Sequence, residues 1–101
     1  MSVIVMTHVP GQVADFERVV KEYADTFVAV SVEGKAAGAV HHCFVEDTDG
    51  SLIIIDEWPT EEAFQAFFGS QEDIPKLMAA AGVAGPPSTT SYRIIDTPDR
   101  F

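Results

Sequence analysis

Apolar positions along the chain switch between two periods. "SVIVMTHV" is rich in β-branched residues and halts at Pro10-Gly11, which predicts a first strand over about residues 2–9. In "QVADFERVVKEYADTFVAVS" the apolar residues Val13, Phe16, Val20, Tyr23 and Phe27 recur every three or four positions. That spacing predicts an amphipathic helix over about residues 12–31. Gly34 and Gly38 punctuate a turn, and "AGAVHHCFVE" reads as a second strand. "DTDG" is a hairpin signal, because Asp and Gly tolerate positive φ. It leads into "SLIIIDEW", a third strand antiparallel to the second. Thr60 is placed to cap a helix whose first acids, Glu61 and Glu62, suit its positive end. In that helix Ala63, Phe64, Phe67 and Phe68 share a face. A further helical segment, about residues 71–81, turns Ile74, Leu77, Met78 and Ala81 inward. A Gly/Pro-rich loop, "GVAGPPSTT", precedes a last strand, "SYRIID", and a tail, "TPDRF".

The order is β-α-β-β-α-β, with the second helical region broken in two. This is the split βαβ pattern of ferredoxin-like folds. The predicted architecture is α+β: a four-stranded antiparallel sheet with its helices on one face, in a single domain over residues 1–101.

The strands do not alternate apolar with polar. In "LIIID", Leu52 and Ile54 oppose Ile53 and Ile55; in "VIVMTHV", Val3 and Val5 oppose Ile4 and Met6. In the second strand Val40 and Phe44 oppose Ala39, Cys43 and Val45. Apolar residues on both faces mean that both are covered, and the helices suffice for one. The expectation is a homodimer in which two copies pack sheet against sheet.

Composition narrows the partners. Six Lys+Arg stand against 16 Asp+Glu, a formal net charge of -10. That excludes the clustered cations which nucleic acid or an anionic membrane surface requires. No apolar run approaches the roughly 20 residues of a membrane span, and the apolar start meets Pro-Gly without a basic segment before it. The single cysteine forms no internal disulfide. These features predict a cytoplasmic protein.

The chemistry-bearing residues are few. His41-His42-Cys43 resembles a metal or nucleophile cluster, but adjacent strand residues point to opposite faces. Only His41 and Cys43 share a face, and zinc needs three or four ligands; no metal site is expected. One histidine faces the helices and the other the opposite side, and either could act as general acid or base. Cys43 reads as a small buried hydrophobe. Trp58 closes its strand beside a helix start, where its ring could wall a pocket and its N–H donate. Phe64, Phe67 and Phe68 would extend that wall, and Tyr92 lies on a strand next to the Gly/Pro-rich loop, which is long enough to close over a pocket mouth. Arg93 is expected to pair with Asp96 or Glu57, and His8 to sit at a solvated rim.

Three features carry a family resemblance: the β-α-β-β-α-β order, Pro10-Gly11 before the first helix, and "DEWPTEEAFQAFFGSQEDIPKLM". Through them nearly the whole chain resembles the antibiotic biosynthesis monooxygenase family of the dimeric α/β-barrel superfamily. The resemblance implies the dimeric barrel. It also implies cofactor-independent oxygenation of a small planar aromatic: a phenol, hydroquinone or polyketide-like substrate. Trp58 matches the family's strand tryptophan, while the positions of its Asn, Tyr and Arg are held by Ile54, Phe64 and Met78. The helix after Trp58 has no histidine, so the haem-degrading branch of the family is not implied, and no cofactor is expected. The candidate catalytic residues are then His41, His42 and Trp58. Trp58, Phe64, Phe67, Phe68 and Tyr92 are the candidate substrate contacts. Two other readings use the same pocket: a non-catalytic dimeric binding module for an apolar metabolite, and an isomerase or cyclase that needs only a histidine and a hydroxyl.

Overall fold

The computed structural model describes residues 2–83 and 85–101. Its elements are β1 (Val3–Val9), α1 (Val13–Glu22), α2 (Ala24–Ala36), β2 (His41–Glu46), β3 (Leu52–Trp58), α3 (Glu61–Ser70), α4 (Asp73–Ala80) and β4 (Ser88–Arg93). The strands form one antiparallel sheet in the order β2-β3-β1-β4. This is the expected ferredoxin-like arrangement. The two most β-branched strands, β1 and β3, occupy its centre, where both edges of each backbone are paired. β2 and β3 are joined through Asp47–Ser51, with Gly50 at a φ of 85°. The carboxylate of Asp49 accepts from the Ser51 N–H at 2.9 Å. Hydrogen bonds from Ser51 hold the Asp49 carboxyl below the usual carboxylate range.

Alternation along β3 is strict: Leu52, Ile54, Asp56 and Trp58 are buried, and Ile53, Ile55 and Glu57 are half-buried. On β1 the buried residues are Val5, Thr7 and Val9. These two inward rows meet the helices in two adjoining clusters. One joins Val5, Trp58 and Phe64. The other joins Val9, Leu52 and Ile54, with Phe16 and Met78 packed against it. Thr60 caps α3 as its position predicts, accepting from the Ala63 N–H at 3.0 Å.

The first helix departs from its predicted form. It is two helices, divided at Tyr23 (φ -120°, ψ 33°). An unbroken helix would carry Tyr23 inward with Phe16 and Phe27; the break leaves Tyr23 exposed and sets the Phe27 ring 5.6 Å from Phe16. Val19, not Val20, is the fully buried residue of α1. Gly34 does not mark a turn. It is buried inside α2, with Phe67 lying close over it. The stop signal is Gly38 alone. With φ at 115°, it closes α2 by hydrogen bonds from Gly38 N to Lys35 O (3.1 Å) and from Ala39 N to Gly34 O (3.0 Å), the paired bonds of a Schellman cap. β4 also begins earlier than predicted, at Ser88, which shortens the preceding loop. Ala84 of that loop lies outside the described residues.

Candidate functional site

Between the inner face of the sheet and the four helices lies a cavity of about 510 Å³. That is the size range of pockets for small organic ligands. Strand period and helix phase together select its walls. β3 contributes Ile54, Asp56 and Trp58, and β2 contributes His42 and Phe44. Phe16 comes from α1, while α2 lays Phe27, Val30 and Gly34 across the opening. Phe64, Phe67 and Phe68 of α3 and Ile74, Leu77 and Met78 of α4 close the other side.

Two aromatic groups line this space. Trp58 stands 6.0 Å from Phe64 and 5.3 Å from Phe67, ring centre to ring centre, with Phe68 beyond at 5.6 Å from Phe64. Facing them, Phe44 lies 4.7 Å from Phe16, and the His42 ring meets its edge at 4.8 Å. Aromatic walls of this kind suit a flat ligand.

The polar content is small, and its one side-chain hydrogen bond among the described residues joins His42 to Asp56. His42 and Asp56 are directly paired across β2 and β3, and His42 Nδ1 lies 2.5 Å from Asp56 Oδ1. Asp56 is 8% exposed, between Ile54 and Trp58 on the inward row. A carboxylate so enclosed needs a strong partner, and the imidazole supplies it. The indole N–H of Trp58 is buried without a hydrogen-bond acceptor among the described residues, which is a costly state for a donor. The other titratable groups bordering the cavity are Lys35 and His41.

The histidine question of the sequence is thereby answered by register. His42 opposes Asp56 and faces the helices; His41 opposes Glu57 on the other side of the sheet and only borders the cavity. Trp58, Phe64, Phe67 and Phe68 stand together as cavity walls. Tyr92 does not join them. It opposes Ile4 on the outer row and is 52% exposed, because the inward residue of that pair of positions is Ser91, opposite Val5. Of the predicted closing loop, Val83 borders the cavity. Arg93 pairs with neither Asp96 nor Glu57. The acid Glu57 is taken by Arg100 of the tail, at 3.4 Å.

Asp56 is the residue that sequence reasoning missed. Its signal is present: continuing the Leu52, Ile54 row by two gives an acid at an inward position of an apolar strand. Among the described residues, no cluster of three or more His, Cys, Asp or Glu side chains is arranged to hold a metal ion.

No family model matches the chain, and no curated protein matches it in sequence. Solved structures do match. SnoaB, a cofactor-independent oxygenase from Streptomyces nogalater, is 19% identical over 98% of this chain and 96% of its own, with a TM-score of 0.58. A monooxygenase from the gene ActVA-Orf6 of Streptomyces coelicolor, solved in complex with nanaomycin D, is 21% identical over 97% of this chain and 92% of its own, with a TM-score of 0.61. A structure described as an antibiotic biosynthesis monooxygenase is 12% identical over 93% of this chain and 99% of its own, with a TM-score of 0.64. The chain thus has the ferredoxin-like fold of the antibiotic biosynthesis monooxygenase structures, along nearly its whole length.

Proposed function

We propose that the protein is a cofactor-independent monooxygenase acting on a small planar phenol, hydroquinone or anthrone-like substrate. The observation that carries this reading is the His42–Asp56 pair, the concentrated polar feature of an aromatic-walled cavity. Phe44 and the Trp58–Phe67 wall sandwich the rings of the substrate. His42 takes a proton from the substrate, which leaves an electron-rich anion. The anion passes electrons to O2 and forms a carbon–oxygen bond. With an anthrone, loss of water from the resulting hydroperoxide gives the anthraquinone, so that one oxygen atom enters the product and the other leaves as water. All four electrons that reduce O2 come from the substrate, whose methylene carbon becomes a carbonyl. The apolar walls exclude water from the anion and keep proton transfer at His42. The fold neighbours described as oxygenases agree with this reading.

Two copies complete the molecule by packing sheet on sheet. Ile4, Met6, Ile53, Ile55, Cys43 and Val45 form an apolar outer surface that no helix of the chain covers, and a face of that kind calls for a partner. Sedimentation of a clean monomer at micromolar concentration would refute the dimer.

Oxygen uptake with anthrones or hydroquinones tests the activity. The wild-type protein should exceed the no-protein blank. His42→Ala should lower kcat by about 100-fold or more, while His41→Ala, altered on the other face, should stay within about threefold, since its side chain makes no transfer. Uptake equal to the blank would overturn oxygenation. Two other readings are separated by the same samples. The near-absence of polar groups favours simple binding of an apolar metabolite, which would raise the melting temperature without turnover. Turnover without oxygen uptake would assign an isomerase or cyclase that uses the same base.

A further inference from the structure

The His42 ring uses one of its two nitrogens. Nδ1 meets Asp56 Oδ1 at 2.5 Å, while Nε2 has no hydrogen-bond partner among the described residues. An ionised carboxylate only accepts hydrogen bonds. The shared proton therefore sits on Nδ1, and the Nε2 lone pair of the neutral ring is free. Which nitrogen of a histidine is basic is set in this way by what holds the other.

Three further observations show that this arrangement is built in. Asp56 and His42 are direct cross-strand partners, so the ladder itself fixes their separation. Asp56 is 11% exposed at its side chain and His42 43%, so that the acid is the enclosed anchor and the imidazole is the half that meets the cavity. The His42 and Phe44 rings meet T-shaped, at 86° with centres 4.8 Å apart, so the imidazole is packed on one side. Among the described residues, no other side chain makes a hydrogen bond or ion pair with either group. Lys35 is the one cation bordering the cavity, on α2; His41 belongs to the other face; α1, α3 and α4 send no titratable side chain into it.

We infer that Asp56 is the positioning residue of the site: it holds His42 in the Nδ1–H tautomer, with Nε2 presented to the cavity as the proton acceptor. This rests on the proposed role of His42 as base, but it makes a claim about the resting protein that needs no substrate. A purely structural pair joined through Nδ1 would favour the same tautomer, so a loss in kcat at unchanged KM is what separates a positioned base from a structural contact. An aspartate two residues before the wall tryptophan, on the inward row, is then a functional requirement and not a tolerated polar residue.

Long-range 1H–15N spectra of the histidine rings test it, recorded on the high-pH plateau of the ring 15N shifts, where the rings are neutral. The His42 signals are assigned by their loss in His42→Gln. In the wild type, Nδ1 should be pyrrole-like and Nε2 pyridine-like. In Asp56→Asn and Asp56→Ala the pattern should reverse, since a neutral ring released from the carboxylate favours Nε2–H. Asn in particular can donate to Nδ1 and hold the wrong tautomer. A wild-type His42 already in the Nε2–H form overturns the inference, whether or not the variants fold. So does an Nδ1–H form that persists in both folded variants.

The kinetic arm uses anthrone oxygenation. Asp56→Asn should lower kcat about 100-fold with KM within about twofold. Adding it to His42→Ala should lower kcat no further, because the two side chains act as one unit. Additive losses would overturn the positioning role. Absence of any turnover in the wild type would refute the proposed function, and the spectra would still decide whether Asp56 sets the tautomer of His42.

Discussion

The two faces of the sheet come from the same strands and differ in what finishes them. On the inner face, β1 and β3 present Val5 and Trp58, at 0% and 2% exposure, and the helices close over them. Its polar pair lies in the interior of the face, walled by aromatics. On the outer face Ile4, Met6, Ile53 and Ile55 stay half-buried beside Cys43 and Val45, and polar groups stand around them: His8, Tyr92, and Glu57 with Arg100. A polar spot inside an apolar wall is the layout of a small-molecule site. An apolar centre within a polar rim is the layout of a protein interface. One alternating pattern thus gives two differently finished faces, and the residue that sets the inner one apart is Asp56, an acid on the inward row of "LIIIDEW".

The largest effect should come from emptying the inner face. Phe64 is 3% exposed and touches Trp58 and Phe68 at once. Phe64→Ala should cost about 3–5 kcal/mol, read as a lower urea midpoint and a melting temperature lower by more than about 10 °C. Loss of less than about 1 kcal/mol would mean that the cavity end of the inner face collapses freely, and the contrast between a built face and an open one would fail.

The outer face should respond differently. Ile55 lies at its centre, between Met6 on β1 and Cys43 on β2. Ile55→Glu puts a charge where the second copy is proposed to pack. The expected result is a folded monomer by sedimentation and circular dichroism, at a concentration where the wild type is dimeric. An unchanged sedimentation coefficient would place the contact elsewhere. Tyr92→Ala, at the more exposed edge of the same face, should weaken association less, because rim residues carry little binding energy.

The same contrast explains what was legible in the sequence. Strand order, hairpin and the Thr60 cap follow from local rules, since period and turn chemistry are properties of neighbouring residues. The helix break at Tyr23 does not. The apolar spacing runs through it, and only packing of Phe27 on Phe16 and Phe44 shows why two shorter helices serve better than one. For the site, alternation separates His41 from His42, yet it does not say which faces the helices. The register opposite Asp56 does. Tyr92 falls on the outer row for a related reason: a one-residue choice of phase decides the face of every side chain in a strand. The orphaned indole N–H of Trp58 is a property of packing alone.

A smaller pair of effects sharpens the account of the inner face as a wall around a space. Gly38 and Gly34 are four residues apart at the end of α2 and should respond with opposite signs. At Gly38, φ is 115° and an added Cβ would lie 3.3 Å from Pro59 Cγ. Gly38→Ala should therefore destabilise by about 1–2 kcal/mol, since a side chain in this conformation is strained. At Gly34 the backbone is helical, and an added Cβ would lie 3.5 Å from Phe67 Cζ, ordinary contact. Alanine there removes the entropic cost of glycine in a helix, which stabilises by about 0.5–1 kcal/mol. A residue that stability alone favours is thus missing from a position that borders the cavity. Gly34→Ala should raise the melting temperature by a few degrees and weaken binding of a flat aromatic, such as an anthrone, by narrowing the gap between α2 and the Trp58–Phe67 wall. A variant that gains stability and binds the probe unchanged would show that α2 does not bound the ligand, and the cavity would then have to be assigned to the β2 side alone.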